Sequence, residues 1–373
     1  MNRTLVVTND FPPRQGGIQT FVAALLATRP PDSLVVLASD HPGAAEHDAG
    51  LPYEVVRAPT GMLLPTPRAA RTAAGLAREH GCRTAFFGAA APLGLLAPAL
   101  RRAGVERLVG ATHGHETGWA ALPGARQVMR RIAGGLDVMT YISEYTRGRL
   151  APALGDRTQL VQLSPGVDVD RFTPDADGAP VRERHGLGDA PVVVCVSRLV
   201  ARKGQDVLVR GWPQVLARHP RARLLLVGGG PLEPALRRTI AARGLTGSVV
   251  LTGGVAPAQL PAHYSAGDVF AMPCRTRRGG LDVEGLGMVF LEAAACGRPV
   301  VAGTSGGAPE TVRDGVTGHV VEPRSPSAVA RVLADLLDDP ARARAMGAAG
   351  RAWVEQRWSW TTIAGTFAAV LDG

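Results

Sequence analysis

Four charged residues in the second half of the chain have the types and spacing to bind a diphosphate and the groups attached to it. Arg198 and Lys203 stand five positions apart in "SRLVARKGQD", after an apolar run and before a helical pattern. A guanidinium offers a planar fork and an ammonium a point charge, so the pair can hold a diphosphate from two directions. Glu284 and Glu292 stand eight positions apart in "EGLGMVFLEAAACG". The alternative for each pair is ordinary surface charge.

A helix is predicted from about Leu286, where small residues allow close packing. The free N–H groups at its start would bind a phosphate with the help of the helix dipole. These groups belong to Gly287, Met288 and Val289. If the stretch is fully helical, Glu284 and Glu292 lie roughly 12 Å apart along it. Carboxylates so placed predict hydrogen bonds to sugar hydroxyls on either side of a diphosphate.

The amino-terminal stretch "TNDFPPRQGGIQTF" predicts a loop that opens a helix near Ile18. Gly16 and Gly17 remove side chains where a backbone must approach a ligand closely, and the helix start offers N–H groups to an anion. Asp10 either faces the same site or caps a turn. Without other motifs, the glycine pair is equally typical of a plain tight turn.

A histidine loop, "ATHGHETGW", follows the apolar run at 107–111. His113 stands at the end of this run, where a functional side chain and a packing histidine look alike. His115 and Glu116 add hydrogen-bonding groups but no third metal ligand. Asp168 and Asp170 in "PGVDVDRF" are predicted to form a turn rather than a metal site.

Short apolar runs that alternate with Ala- and Arg-rich helical stretches must position these residues. The predicted strands are 4–8, 34–38, 53–57, 84–88, 107–111, 138–142, 159–163, 192–196, 224–228, 249–253, 269–273, 299–303 and 319–323. Apolar strands alternating with helices are typical of parallel sheets buried on both faces. Two such series predict an α/β fold with two Rossmann-like, doubly wound domains that face a ligand cleft.

The domain boundary is predicted in the Pro-, Gly- and Asp-rich stretch 163–180. We therefore assign 1–170 to the first domain and 171–355 to the second. A long helical pattern from about Ala341 is broken near "WSW", and the final segment, 356–373, is predicted to pack back on the first domain. A chain of 373 residues is long enough for two cores.

The composition and the lack of targeting patterns predict a cytoplasmic protein with anionic partners. The net charge is +9, from 41 basic and 32 acidic side chains. No zinc-finger spacing or aromatic-basic RNA motif accompanies this charge, so no nucleic-acid partner is predicted. No apolar run approaches the roughly 20 residues of a membrane span, and no signal-peptide cleavage pattern is present. The four cysteines lack metal-ligand spacing and are predicted to be reduced core thiols.

Together, "SRLVARKGQD", "EGLGMVFLEAAACGRPVVAG" and "GGAPETV" resemble the motifs of the retaining glycosyltransferases of family 4. The resemblance covers essentially the whole chain and implies the GT-B fold, with an acceptor-binding first domain and a nucleotide-sugar-binding second domain. It implies neither a cofactor nor a metal. Three stretches, "VVTNDFPPRQGGIQTF", "THGHE" and "RTRRGGLDVEGLGMVFLEA", are similar to the actinobacterial branch that transfers α-mannose from GDP-mannose to phosphatidylinositol monomannoside in α-1,6 linkage.

The resemblance also implies residue roles. Groups implied to bind the donor diphosphate are Arg198, Lys203, Gly16, Gly17, Gly287, Met288 and Val289. Glu292 matches the acid that binds the ribose. The implied catalytic residues, beside the transferred sugar, are His113, Asp10 and Glu284. Backbone after "LTGGV" is implied to read the base, at Val255 and Ala256.

A lipid acceptor implies contact with an anionic membrane, on the inner face of the plasma membrane. Two basic stretches in the first domain, 67–81 and 123–135, suit this contact. Their arginines are Arg68, Arg71, Arg78, Arg126, Arg130 and Arg131. With Met62, Leu63 and Leu64 they predict a surface that lies on lipid headgroups. The alternative is a solvated basic face.

Two other functions remain open from the sequence. One is a family 4 enzyme that uses a UDP- or ADP-sugar and a soluble acceptor. The other is a non-catalytic nucleotide- or nucleic-acid-binding protein that uses the basic surface, although the paired cations and carboxylates argue against it. The oligomeric state is not predicted.

Overall fold

The computed structural model describes residues 3–114, 116, 118 and 123–373. The chain folds as two compact units. The first contains Met1–Pro165 together with Thr361–Gly373, and the second contains Gly166–Trp360. The limits predicted from the sequence, after 170 and after 355, each lie five residues from these.

The first unit is built on a sheet of seven parallel strands in the order β3-β2-β1-β4-β5-β6-β7. The strands are β1 (Arg3–Thr8), β2 (Leu34–Ser39), β3 (Glu54–Ala58), β4 (Cys82–Phe87), β5 (Arg107–Ala111), β6 (Val138–Tyr141) and β7 (Gln159–Gln162). From β1 the chain adds β2 and β3 toward one edge of the sheet. It then crosses back to place β4 beside β1 and adds β5 to β7 toward the other edge. Loops after β1 and β4 therefore flank the point at which ligands of such sheets bind.

Helices cover both faces of this sheet. They are α1 (Gly17–Ala27), α2 (Ala44–Ala49), α3 (Pro67–Glu79), α4 (Ala97–Arg102), α5 (Pro123–Ala133), α6 (Glu144–Leu154) and a C-terminal helix (Trp360–Asp372). Alternate strand residues such as Leu5 and Phe87 share one core with α3 to α6. On the other face Phe86 meets Phe367 of the C-terminal helix, with ring centroids 5.1 Å apart. Packing on both faces explains why the strands read as continuous apolar runs.

The second unit is built on six parallel strands in the order β10-β9-β8-β11-β12-β13. They are β8 (Val192–Val196), β9 (Arg223–Val227), β10 (Val249–Gly253), β11 (Val269–Met272), β12 (Val300–Gly303) and β13 (Gly318–Val321). Its helices are α7 (Ala179–Arg184), α8 (Gln205–Arg218), α9 (Glu233–Ala242), α10 (Leu260–Ser265), α11 (Met288–Ala295), α12 (Pro326–Asp338) and α13 (Pro340–Arg357). The strand order reverses between β8 and β11, which makes their loops the expected ligand position.

All thirteen predicted strands are present, and the doubly wound architecture of both domains is confirmed. The break near "WSW" is also confirmed, because α13 ends at Arg357 and the next helix begins at Trp360. That the two domains face each other across a ligand cleft stays a prediction. Within the described residues, none of the helices has the length and apolar character needed to cross a bilayer.

Candidate active site

At the switch point of the second unit, two of the four charged residues that the sequence singled out are in contact. Lys203 follows β8 and Glu284 follows β11, and their side chains meet with Nζ 2.6 Å from Oε2. Both residues are buried, at 8% and 7% exposure. A buried ammonium–carboxylate pair costs desolvation, so this pair contributes little to stability and is a candidate for a functional role.

Arg202 is a third member of this cluster that the sequence analysis did not select. Its guanidinium lies 2.7 Å from Oε2 of Glu284 and 3.2 Å from Oδ1 of Asp282. One carboxylate, Glu284, thus receives two cations, and Arg202 is shared by two carboxylates. A residue directly beside Lys203 was available to sequence reasoning, but only the fold shows that its side chain turns toward Glu284.

The composition of the chain also singles out Lys203 as a candidate functional residue. Forty of the 41 basic side chains are arginine, and Lys203 is the single lysine. An ammonium is more compact than a guanidinium and binds as a point charge. All the remaining basic side chains are arginine, so the single lysine of the chain stands at this buried position, where a compact cation packs with less bulk.

The backbone of Glu284 is held by the loop after β12. Ser305 Oγ accepts the Glu284 N–H at 3.1 Å, and the Gly307 N–H donates to the Glu284 carbonyl at 3.0 Å. Gly306, at φ +55°, passes so close that an added Cβ would lie 1.9 Å from that carbonyl oxygen. The glycine is required because only a residue without a side chain fits this left-handed position against Glu284.

We expect Gly306→Ala to displace Glu284 and to lower activity as well as stability. The strained backbone alone costs about 1–3 kcal/mol, and the clash adds to it. Gly315→Ala is the matched control, because Gly315 is also left-handed (φ +75°) but has no atom within 4 Å of the added Cβ. Urea unfolding and turnover measured on both variants should show loss of activity for Gly306→Ala alone. Equal activity in the two variants would contradict the positioning role.

Helix α11 begins at Met288, so the expected helix start near Leu286 is wrong by two residues. Gly287, at φ +93°, cannot continue a right-handed helix, and an added Cβ would lie 2.5 Å from the Phe290 ring. The 12 Å spacing assumed a continuous helix from Glu284 and therefore does not hold. No side chain caps the start of α11. Its first N–H groups, including those of Met288 and Val289, can therefore receive an anion.

Glu292 lies in the second turn of α11, where its Oε2 accepts a hydrogen bond from the Tyr264 hydroxyl at 2.6 Å. Burial raises the pKa of Glu292, although the bond from Tyr264 and the charges of Arg171 and Lys203 oppose the shift. Burial, with the nearby Glu292 charge, also raises the pKa of Tyr264 well above its ordinary value. The tyrosine thus stays protonated and orients the carboxylate.

We expect Glu292→Gln to stabilise the protein at pH 7 and to weaken donor binding. The raised folded-state pKa means that the unfolded chain loses this proton at lower pH than the folded chain. The free energy of unfolding therefore falls as the pH rises through the window between the two values. The variant should unfold at higher urea than wild type near pH 7, with no gain below the ordinary Glu pKa. Loss of a charged hydrogen bond should raise the donor KM about tenfold or more.

A variant that shows no gain in urea midpoint at pH 7 would contradict the burial argument. An unchanged donor KM would contradict the binding role. Tyr264→Phe gives a second variant, because it removes the hydroxyl that orients Glu292 but leaves the carboxylate.

Arg198 stands exposed on the loop that follows β8. Among the described residues, no carboxylate lies within ion-pair distance of it. Its loop is held by the segment that follows β9, because the Leu199 N–H donates to the Gly229 carbonyl at 2.9 Å. Arg198 and Arg202 line a pocket of about 570 Å³ with Arg277, Arg278 and a single carboxylate, Asp282. This pocket is cationic and opens beside the Lys203–Glu284 pair, which suits a phosphorylated ligand.

The loop after β10 carries the residues expected to read a base. Val255 is partly buried and Ala256 is exposed. The Ala256 N–H already donates to Gln259 Oε1 at 3.2 Å, so a base that used this group would displace Gln259. Gln259 is therefore a polar side chain at this loop that sequence reasoning missed. The role of Val255 and Ala256 in base binding stays a prediction.

In the first unit, Asp10 and the glycine pair lie in the loop after β1. Gln19 of α1 donates to Asp10 Oδ1 at 2.8 Å, and Thr8 Oγ1 accepts the Asp10 N–H at 2.9 Å. An added Cβ at Gly16 would lie 2.1 Å from Gln19 Oε1, so a side chain there would dislodge the residue that holds Asp10. Gly17 faces open space. Packing against Gln19 thus explains the glycine at position 16. The glycine at position 17 leaves open space at the uncapped start of α1.

His113 follows β5 and is oriented from two sides. Its Nε2 lies 2.6 Å from the Gly88 carbonyl, which follows β4 and can only accept, so Nε2 carries the hydrogen. The Phe21 ring meets the imidazole edge to face at 5.9 Å. The buried Glu116 carboxylate accepts the N–H groups of His113 and Gly114 at 3.0 and 2.9 Å. His115 lies outside the described residues.

The six arginines of the basic stretches are exposed on α3 and α5. In the described part of the chain none of them forms an ion pair, and Arg126 donates to the Pro152 carbonyl. Met62 and Leu64 are also exposed, at 57% and 50%. Leu63 is not: it is 3% exposed and belongs to the core under α3, so its expected place on the surface is wrong.

The other metal candidates have structural roles. Asp168 Oδ1 accepts the Arg171 N–H at 3.0 Å, which confirms the predicted turn. Across residues 3–114, 116, 118 and 123–373, no group of three or more His, Cys, Asp or Glu side chains is arranged to hold a metal ion. The four cysteines are buried thiols. Burial raises the pKa of Cys195 to about 12, so this thiol stays protonated.

The fold of the whole chain matches that of solved two-domain structures. It is similar to Anabaena HepE, crystallised with UDP, with a TM-score of 0.80, 22% identity and 100% coverage of both chains. This likeness confirms the predicted GT-B fold of two Rossmann-like domains. The protein thus has the fold class of the GT-B glycosyltransferases.

Sequence comparison is more specific. The family model "Glycosyltransferase Family 4" matches residues 15–171, and the model "Glycosyl transferases group 1" matches 190–339. The chain belongs to this glycosyltransferase family. It is 53% identical to a GDP-mannose-dependent α-(1-6)-phosphatidylinositol monomannoside mannosyltransferase of Mycolicibacterium smegmatis, over 99% of this chain and 98% of the relative. It is 49% identical to the corresponding enzyme for a monoacylated acceptor in Corynebacterium glutamicum, over 96% and 94%.

Proposed function

We propose that the protein transfers α-mannose from GDP-mannose to the inositol of phosphatidylinositol monomannoside, in α-1,6 linkage and with retention of configuration, to form the dimannoside. The observation that carries the proposal is the contact of Lys203 with Glu284 at the switch point of the second unit, beside the uncapped start of α11. The donor and acceptor are taken from relatives that match nearly the whole chain.

In this proposal the donor diphosphate lies against Lys203, Arg198 and the N–H groups of Met288 and Val289. Breaking the bond between the anomeric carbon and the diphosphate places negative charge on the leaving group. Preorganised donors stabilise that charge, and each contributes about 3 kcal/mol. Because Lys203 is paired with Glu284, donor binding requires Lys203 to turn partly toward phosphate. Arg202, at 2.7 Å, then keeps the Glu284 carboxylate paired.

Glu284 accepts hydrogen bonds from the mannose hydroxyls, and Glu292 accepts them from the ribose. In the first unit, His113 and Asp10 are proposed to lie beside the transferred sugar. Gly17, held by the turn at Gly16, would leave room for the donor diphosphate. No side chain is assigned as a covalent nucleophile. Retention then results from attack of the acceptor on the face that the leaving group vacates, with a diphosphate oxygen taking the acceptor proton.

A lipid acceptor lies in a membrane, so the enzyme must reach the inner face of the plasma membrane. The arginines on α3 and α5 are exposed and form no ion pair with another described residue. With the exposed Met62 and Leu64 they support peripheral binding to anionic headgroups. Exposed cations of this kind contribute a salt-sensitive attraction. Co-sedimentation with vesicles should therefore rise with the anionic lipid fraction and fall with salt.

The decisive assay is transfer of radiolabel from GDP-mannose, UDP-glucose and ADP-glucose to purified phosphatidylinositol monomannoside and, separately, to soluble sugars and sugar phosphates. Oligonucleotide binding is titrated in parallel. The proposal predicts a labelled dimannoside from GDP-mannose alone. Label transferred from a UDP- or ADP-sugar to a soluble acceptor would instead support the other family 4 activity. Oligonucleotide binding without transfer from any donor would support a non-catalytic role and contradict the proposal.

A further inference from the structure

A pocket of about 290 Å³ lies in the first unit between β3 and α3, beside Met62, Leu64 and Arg68 of the proposed membrane-binding surface. Its walls are mainly apolar and include Val56, Ala58, Leu63 and Leu64. Its polar lining includes Arg57, which is fully engaged: its guanidinium bonds both oxygens of Asp48, at 2.8 and 2.7 Å, and two backbone carbonyls. The hydroxyls of Thr60, Thr66 and Thr72 also bond to backbone groups, so the pocket offers a mainly apolar space.

The entrance of this pocket combines exposed apolar side chains with an unpaired cation. Met62 and Leu64 line it, although they are 57% and 50% exposed. Arg68 lines it from the first turn of α3 and is exposed. No carboxylate among the described residues pairs with Arg68, and the positive end of α3 lies at the same place. An apolar space with a cation at its mouth is complementary to a hydrocarbon chain that carries an anionic phosphodiester.

The pocket is joined directly to the loop that carries Asp10. Asn9 Nδ2 donates to the Leu63 carbonyl at 2.9 Å, and the Leu63 N–H donates to Asn9 Oδ1 at 2.6 Å. These two bonds fix the loop after β3 against the loop after β1. A ligand headgroup at Asp10 and a chain in the pocket would therefore lie on neighbouring loops of the same sheet edge.

We propose that this pocket binds an acyl chain of the lipid acceptor while Arg68 contacts its phosphodiester. The inference rests on the proposed function for the identity of the lipid. Acyl-chain binding differs from peripheral membrane binding. It requires one lipid molecule to move partly out of the bilayer and to insert one of its chains into the protein. The acyl chain then contributes to acceptor affinity through the apolar area that the pocket buries.

The test uses lipids below their micelle concentration, so that no membrane surface is present. Binding of dioctanoyl phosphatidylinositol and of glycerophosphoinositol, its deacylated form, is measured by calorimetry on the full-length protein. We expect the wild type to bind the acylated form at least tenfold more tightly. Thr72→Trp fills the pocket from an exposed position of α3, and should abolish this preference. Ala45→Trp, at an exposed position of α2 outside the pocket, is the matched control and should keep it.

Equal affinity of the wild type for the two forms would overturn the inference, as would a preference that survives in Thr72→Trp. So would burial of the Met62 and Leu64 surface in a dimer, detected by sedimentation, that excludes the lipid. Failure of the proposed function would give a different result. The wild type would not transfer mannose from GDP-mannose, whatever its preference for an acyl chain. Arg68→Gln should weaken binding of both forms and reduce the salt dependence of each.

Discussion

Replacing Lys203 with alanine is expected to lower mannosyl transfer by a factor of about 10² or more and to weaken binding of GDP. Its ammonium is the buried cation at the switch point, 2.6 Å from Glu284, and the proposed mechanism requires it to meet the leaving diphosphate. Loss of one preorganised donor costs about 3 kcal/mol in the barrier. The fold should survive, because Arg202 remains within 2.7 Å of the carboxylate.

Two further variants separate charge from shape at position 203. Lys203→Arg keeps the positive charge but forces a larger, planar group into a buried place, so it should also lose most activity. Arg221→Ala, which removes an exposed cation before β9 at the opposite edge of the same sheet, should leave turnover unchanged. Near-normal turnover by Lys203→Ala, with the unfolding midpoint preserved, would refute the assigned role.

Replacing Glu284 with alanine is expected to abolish transfer while preserving or strengthening the binding of GDP. The carboxylate is proposed to hold the sugar, so its loss should cost a factor of about 10² or more in turnover. Its removal also frees Lys203 and Arg202 from their shared partner, and both cations then attract phosphate more strongly. The two alanine variants should thus look alike in turnover and differ in GDP affinity.

The difference in GDP affinity between Lys203→Ala and Glu284→Ala separates the two roles that Glu284 could have. If Glu284→Ala loses GDP affinity as Lys203→Ala does, the carboxylate serves to position the lysine rather than to bind the sugar. Glu284→Gln keeps the size of the side chain and should show the same pattern with less disturbance of the loop at Ser305. Circular dichroism and urea midpoints on all variants show whether the fold is intact.

The sequence predicted the fold well because the strands are buried on both faces. Runs such as "VVVCV" read as continuous apolar segments, and their alternation with helices leaves few other architectures. Positions such as Arg198, Lys203 and Glu284 follow strands, so their common edge could also be predicted. The helix start was less certain, because Gly287 is compatible with a helix in sequence and only its φ of +93° excludes one.

Contacts between distant segments could not be read from spacing. Arg202 approaches Glu284 across 82 positions of the chain, and Tyr264 approaches Glu292 across 28. Leu63 was misplaced because it lies between two exposed apolar residues, and the sequence does not show which way a loop side chain turns. Its burial follows from the pair of hydrogen bonds to Asn9, which only the fold brings near.

Because Lys203 is the only lysine, one spectrum can report on it without assignment. The protein would be labelled with 15N-lysine and its side-chain Nζ signal followed during titration with guanosine, GMP, GDP and GDP-mannose. If this ammonium binds the pyrophosphate, the chemical shift of its Nζ signal should change strongly and saturate at one equivalent of GDP or GDP-mannose. Guanosine and GMP should change it little. A signal that stays in place while calorimetry shows GDP-mannose bound would contradict this binding.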